Sequence, residues 1–136
     1  MLTQQEWEAL DAVGIAALVK SGEVTGREIV ETAIARIEQL NPVVNAVVHR
    51  AYDEAMELAG RQKPNAPFAG VPYLLKDLNT VAQGLPLSNG SKLLAGTTSS
   101  FDSSLVARLR SAGFLLIGRT NSAEFGLNVT TEPRAY

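Results

Sequence analysis

One lysine in this chain stands where an amine could become a base. Lys76 directly follows the apolar run Val71-Pro72-Tyr73-Leu74-Leu75 and precedes Asp77. Partial removal from water disfavours an ammonium ion, lowers its pKa and leaves a neutral amine able to take a proton. The alternative is a surface lysine paired with Asp77 at a strand end, and residue types alone favour it, because lysine is rarely buried. Ser88, Ser91, Ser99, Ser100, Ser103 and Ser104 are nucleophiles by type only. Loop turns and a helix cap account for all of them, and an activated serine also needs an oriented base and oxyanion donors. His49 is the single histidine and there is no cysteine. A thiol nucleophile, a disulfide framework and a zinc site are therefore not expected, and His49 reads as a surface or cap residue beside Arg50. Gly84, Gly90 and Gly96 lack the spacing of a phosphate-binding fingerprint.

The elements that must position Lys76 follow from patterning. Thr3 with Glu6 is a capping-box pair and opens a helix that runs to Ser21-Gly22, with Trp7, Leu10, Val13, Ala17 and Leu18 as its stripe. Thr25 with Glu28 opens a second helix, ended by Asn41-Pro42. Val43 to Val48 is rich in β-branched residues and reads as extended. A third helix spans Ala51 to Gly60, with Ala51, Ala55, Leu58 and Ala59 inward, and Lys63 to Pro67 is a loop. The run 71–75 is a buried strand. Residues 79–104 form a long ordered loop, punctuated by Val81, Leu85, Leu87, Leu93 and Leu94. Asp102 or Ser103 caps a helix to Ala112 that buries Leu105, Val106 and Leu109, and Phe114 to Ile117 is a second buried strand. A short helical turn at 123–125 follows. Two continuous apolar strands joined across a helix predict a parallel pair covered on both faces.

The string Phe68-Ala69-Gly70-Val71-Pro72-Tyr73-Leu74-Leu75-Lys76-Asp77-Leu78 resembles the segment around the catalytic lysine of the amidase signature family. Gly90-Ser91, the helix residues Asp102, Val106, Arg108 to Arg110 and Ala112-Gly113, and then Gly118 to Asn121, Glu124-Phe125-Gly126 and Thr130-Thr131-Glu132 follow in the family's order. Asn41-Pro42 and Asn45-Ala46 extend the likeness through the N-terminal helices, so it covers nearly the whole chain. Within the family the chain is most similar to bacterial amidases of the 6-aminohexanoate cyclic-dimer hydrolase type, through residues 71–78 and Val129 to Pro133.

The resemblance implies an α/β fold in which residues 1–136 are the N-terminal part of the domain: a mixed sheet flanked by helices, incomplete here. Residues 1–62 would be its helical part and 68–136 the segment carrying the lysine. It implies hydrolysis of carbon–nitrogen amide bonds by a Ser–cis-Ser–Lys triad, with Lys76 as the catalytic lysine and no metal or organic cofactor. Both family serines lie beyond Tyr136, so the chain alone is expected to be inactive. Leu127, Asn128 and Val129 border the family's substrate pocket. Leu127 either lines it or packs beneath the loop.

The expected partner is a small-molecule amide, and a homo-oligomer of the full-length protein stays open. A formal net charge of −2 offers no basic field for nucleic acid or anionic lipid. The opening residues carry no signal-peptide pattern, and no apolar run reaches transmembrane length, so a cytoplasmic protein is expected. Two other readings compete. One is a non-catalytic truncated chain, or one piece of a split enzyme. The other is the glutaminase subunit of a tRNA-dependent amidotransferase. Leu74-Leu75 and Leu127 favour a free-standing amidase.

Overall fold

The computed structural model describes residues 2–61 and 65–136; Lys63 and Pro64 of the expected loop lie outside them. Chain order is α1 (Gln4–Ala9), α2 (Ala12–Ser21), α3 (Gly26–Val44), β1 (Val47–Arg50), α4 (Tyr52–Ala59), β2 (Pro72–Lys76), a 3-10 turn (Lys92–Leu94), α5 (Ser104–Ser111), β3 (Leu115–Thr120) and a second 3-10 turn (Glu124–Gly126). The three strands form one sheet in the order β1-β3-β2. β2 and β3 run parallel with α5 in the crossover, while β1 is antiparallel to β3. The sheet is mixed, as expected.

Both capping boxes form. The Thr3 and Thr25 side chains accept from the backbone of Glu6 and Glu28, whose carboxylates return to the cap residues. Two helix boundaries differ from the sequence reading. The first expected helix breaks at Leu10, because the Asp11 side chain takes the Gly14 N–H and starts α2 afresh. The second passes through Pro42 and ends at Val44. In a last turn a proline costs only one ladder bond, and Asn45 at φ 46° caps the end. Val43 and Val44 are thus helical, and the strand begins only at Val47. Asn41 sets that start: its buried amide accepts from Val47 N at 2.7 Å and donates to Val47 O at 2.8 Å.

β3 is the middle strand and is buried along almost its whole length. Leu115 and Ile117 pack with Val30, Ala33, Ala55 and Ala59 of α3 and α4, whereas Leu116 packs with Leu75, Ala82, Leu85 and Val106. β3 is therefore covered on both faces, whereas β2, at the sheet edge, is covered only in part: of the run expected to be a buried strand, Val71 and Leu75 are buried, Pro72 and Leu74 are half-buried and Tyr73 is exposed. Leu58 and Leu105, expected inward, are exposed, and Val106 alone of its helix is fully buried. β3 continues past Ile117 to Thr120, because a register shift resets the alternation: Leu74 pairs with Gly118, Leu75 with Arg119 and Lys76 with Thr120. At Gly118 a Cβ would lie 2.2 Å from the His49 carbonyl oxygen. Only glycine lets β1 close on β3 there.

No helix among the described residues is long and apolar enough to cross a membrane. β1 and β2 are both sheet edges, and Val43, Leu93, Leu127 and Val129 are strongly exposed. Unpaired edges and apolar surface of this kind recruit other chains.

Two outcomes are expected. The 136-residue chain alone self-associates in sedimentation, where a concentration-independent monomer would contradict the exposed-edge argument. Gly118→Ala destabilises the fold by at least about 2 kcal/mol in denaturant melts, as steric overlap inside a sheet does; an unchanged midpoint would mean that β1 yields without cost.

Candidate functional site

Strand alternation sends Lys76 and Asp77 to opposite sides. Lys76 is exposed at the C-terminal end of β2, while Asp77 is fully buried on the side of Leu75. Of the two readings of Lys76, the surface position at a strand end is the one found in this chain, but without the expected pairing with Asp77. The Asp77 carboxylate instead gathers the following loop. It accepts from Ser88 N at 2.8 Å, Gly90 N at 3.0 Å and the Tyr136 hydroxyl at 2.8 Å. The Asp77 amide donates to Thr120 O at 2.9 Å, extending the sheet by one bond.

Arg119 is the other fully buried charged residue beside Lys76. Its guanidinium donates to Thr80 O at 2.8 Å, Lys76 O at 3.2 Å and Leu85 O at 3.5 Å. Burial pulls its pKa below the ordinary value, and the charges of Asp77 and Tyr136 act against that. The backbone from Lys76 to Gly90 thus wraps around one buried cation and one buried anion.

His49 is not a surface residue. It is half-buried, with Nε2 2.7 Å from the Tyr136 hydroxyl and 3.3 Å from Ser88 Oγ. Hydrogen counting orders these contacts. A carboxylate only accepts, so the Tyr136 O–H points to Asp77. The tyrosine oxygen then accepts from His49 Nε2–H, and Ser88 has no basic nitrogen facing it. The group is a structural polar cluster, not a nucleophile–base–acid relay. Burial and the Asp77 hydrogen bond push the Tyr136 phenol up to about 12. Burial also holds His49 below its usual value, with Asp77 opposing.

A second set of contacts joins the loop after β2 to the turn after β3. Ser91 Oγ donates to Glu124 Oε1 at 2.6 Å, and Phe125 N donates to Asn89 O at 2.8 Å. Asn89, Gly90, Phe125 and Gly126 all have positive φ. For Asn89 and Phe125 this is strained backbone held by its surroundings. Beyond this turn Leu127, Asn128, Phe125, Thr130, Glu132 and neighbouring residues line an open cleft of about 520 Å³. Leu127 is largely exposed at its rim, Asn128 caps the Val129 amide, and Val129 is fully exposed outside the lining. Lys76 is not part of this cleft. Among the described residues no cluster of His, Asp or Glu could hold a metal ion.

The family model "Amidase" matches residues 28–136 of the chain. This chain belongs to the amidase signature family. The 6-aminohexanoate-cyclic-dimer hydrolase of Paenarthrobacter ureafaciens is 42% identical over 128 residues, covering 93% of this chain and 26% of that protein. A solved structure of 6-aminohexanoate cyclic dimer hydrolase complexed with substrate superposes with a TM-score of 0.87 at 42% identity, again over 93% of this chain and 26% of that one. A glutamyl-tRNA(Gln) amidotransferase subunit from Streptomyces coelicolor is 38% identical over 137 residues, covering 93% of this chain and 27% of that protein. The chain spans about a quarter of the length of these relatives.

Asp77, Arg119, Tyr136 and His49 were not singled out as site residues by sequence reasoning. The available signal was charge: Arg119 and Asp77 each continue an apolar strand, where a charged group must find buried partners.

The His49 contact predicts a pH dependence. Because the folded state holds the imidazole below its unfolded pKa, folding releases protons, and stability falls as pH drops from 7 through the folded-state pKa. Melting temperature should fall over this range in the wild type and fall less in His49→Gln. Parallel curves would remove His49 from the linkage.

Proposed function

We propose that this chain is the lysine-bearing part of an amidase that hydrolyses carbon–nitrogen bonds through a Ser–cis-Ser–Lys triad. The observation that carries the reading is Lys76: its backbone is fixed by buried ionic groups while its side chain faces open space, within a family match that spans residues 28–136. Rigid backbone with a free amine is what a base acting on a group from another segment needs. In this reading the missing serines come from outside residues 1–136, and packing of that segment over Lys76 supplies the desolvation absent here. The neutral Lys76 amine takes the proton of the bridging serine. That serine takes the proton of the nucleophile, whose oxygen attacks the amide carbonyl. The amine or ammonia leaves with a returned proton, and water releases the acid from the acyl-enzyme. Backbone N–H groups beside the nucleophile stabilise the oxyanion. Leu127 and Asn128 at the cleft form one wall of the substrate site, with Val129 beside them, and Leu127 favours an apolar acyl or amine group. The reaction needs no metal.

A glutaminase role shares this chemistry, and the 38% identity to an amidotransferase subunit supports keeping it as a second reading. The two separate on substrate: a free-standing amidase cleaves a simple anilide without a partner, whereas a glutaminase releases ammonia from glutamine for one.

At the length its native source makes, the protein should hydrolyse 4-nitroacetanilide, and Lys76→Ala should lower kcat at least about a thousandfold, within the range of general acid–base catalysis. Melting curves of the variant establish that it folds, so that the loss in kcat is read on folded protein. Unchanged turnover in Lys76→Ala would remove Lys76 from the mechanism.

A further inference from the structure

Arg119 and Asp77 have no part in the proton transfers above, yet both are fully buried next to Lys76. A buried cation and a buried anion are costly unless they are paired and hydrogen-bonded, so their partners show what they hold. Arg119 binds three backbone carbonyls, those of Lys76, Thr80 and Leu85. Asp77 binds two backbone amides, Ser88 and Gly90, and its own amide ties to Thr120. The targets are therefore main-chain atoms of Lys76 itself, of the loop that follows it and of Thr120 at the end of β3. The loop end they fix, Ser88 to Ser91, in turn anchors the turn at Glu124 and Phe125 that borders the cleft.

We propose that Arg119 and Asp77 are positioning residues for Lys76, clamping its backbone from inside the sheet so that the amine is presented in one place to the serine it deprotonates. This rests on the amidase reading. Arg119 suits the task because its planar fork reaches several carbonyls at once, while a lysine ammonium on a flexible stem cannot hold three divergent acceptors in fixed geometry. The carbonyl of Lys76 pairs with one of those fork nitrogens, which also binds Thr80. Loss of the fork frees the residue that carries the base as well as the loop after it. A displacement of about 1 Å at a catalytic group costs on the order of a hundredfold in rate.

The test uses the protein at the length its native source makes and a fluorophosphonate probe, which labels an activated serine whatever the natural amide is. The labelling rate is followed by intact mass from pH 6 to pH 10 for wild type, Arg119→Met, Arg119→Lys, Asp77→Asn and Lys76→Ala, with melting curves to establish folding. Arg119→Met is expected to label at least about tenfold more slowly than wild type, with the midpoint of its pH profile displaced. Arg119→Lys should recover part of the rate, because one carbonyl is held again. Asp77→Asn should also slow labelling and displace the midpoint. A purely structural role would lower the melting temperature and leave the rate and midpoint of the folded protein unchanged, and that result overturns the proposal. Where Arg119→Met does not fold, Arg119→Lys and Asp77→Asn decide in the same way: wild-type rate and midpoint in both overturn it. An unlabelled wild type, or Lys76→Ala that labels normally, overturns the amidase reading instead. A silent Lys76→Ala beside wild-type-like Arg119 and Asp77 variants overturns the positioning role alone.

Discussion

A guanidinium buried at the end of an apolar strand has to be met by acceptors, and in this chain the acceptors are backbone carbonyls of the segment that carries Lys76. The Arg119 contacts to Lys76, Thr80 and Leu85 bend residues 76–85 around one side chain. Asp77, one residue after Lys76, completes the arrangement by gathering the amides of Ser88 and Gly90. The two terminal nitrogens of Arg119 are met in this way while its buried Nε has no partner among the described residues, and stripping either ion of its remaining partners would cost several kcal/mol. The long loop after β2 is therefore ordered by ionic requirements in its interior, with apolar anchors at Ala82 and Leu85.

The same constraint explains why the exposed residue is the lysine. Alternation allows only one of Lys76 and Asp77 to face inward, and the register shift in β3 puts Arg119 beside Leu75, on the side to which Asp77 also turns. Lys76 is left facing out, its backbone pinned and its amine unconstrained. The strained turn at Phe125 extends the ordered region from β2 through Ser91 and Glu124 to the cleft residues Leu127 and Asn128. Sheet end, loop and cleft wall thus form a connected set.

Much of this was legible in the sequence. Capping boxes located two helix starts, continuous apolar runs located β2 and β3, and the helix between them implied their parallel pairing. The ordered motifs from Phe68 to Glu132 pointed to the family. What was not legible depended on tertiary partners. Pro42 breaks a helix by local rules, but the final turn loses little to it and Asn41 is occupied in starting β1. The extension of β3 through Gly118 and Arg119 needs the register shift, which no periodicity displays. His49 read as a surface residue because its partners, Ser88 and Tyr136, lie 39 and 87 positions away. Lys76 and Asp77 are adjacent in sequence, yet only the sheet shows that they cannot face each other.

In the proposed mechanism Lys76 serves a serine that is not among these 136 residues. The most direct measurement is the site of covalent labelling: treat the protein from its native source with a fluorophosphonate, digest it, and locate the adduct by peptide mass. The expected result is a single adduct on a serine outside residues 1–136, formed only when Lys76 is intact. An adduct on Ser88, Ser91 or another serine of this chain would contradict it, as would no adduct at all.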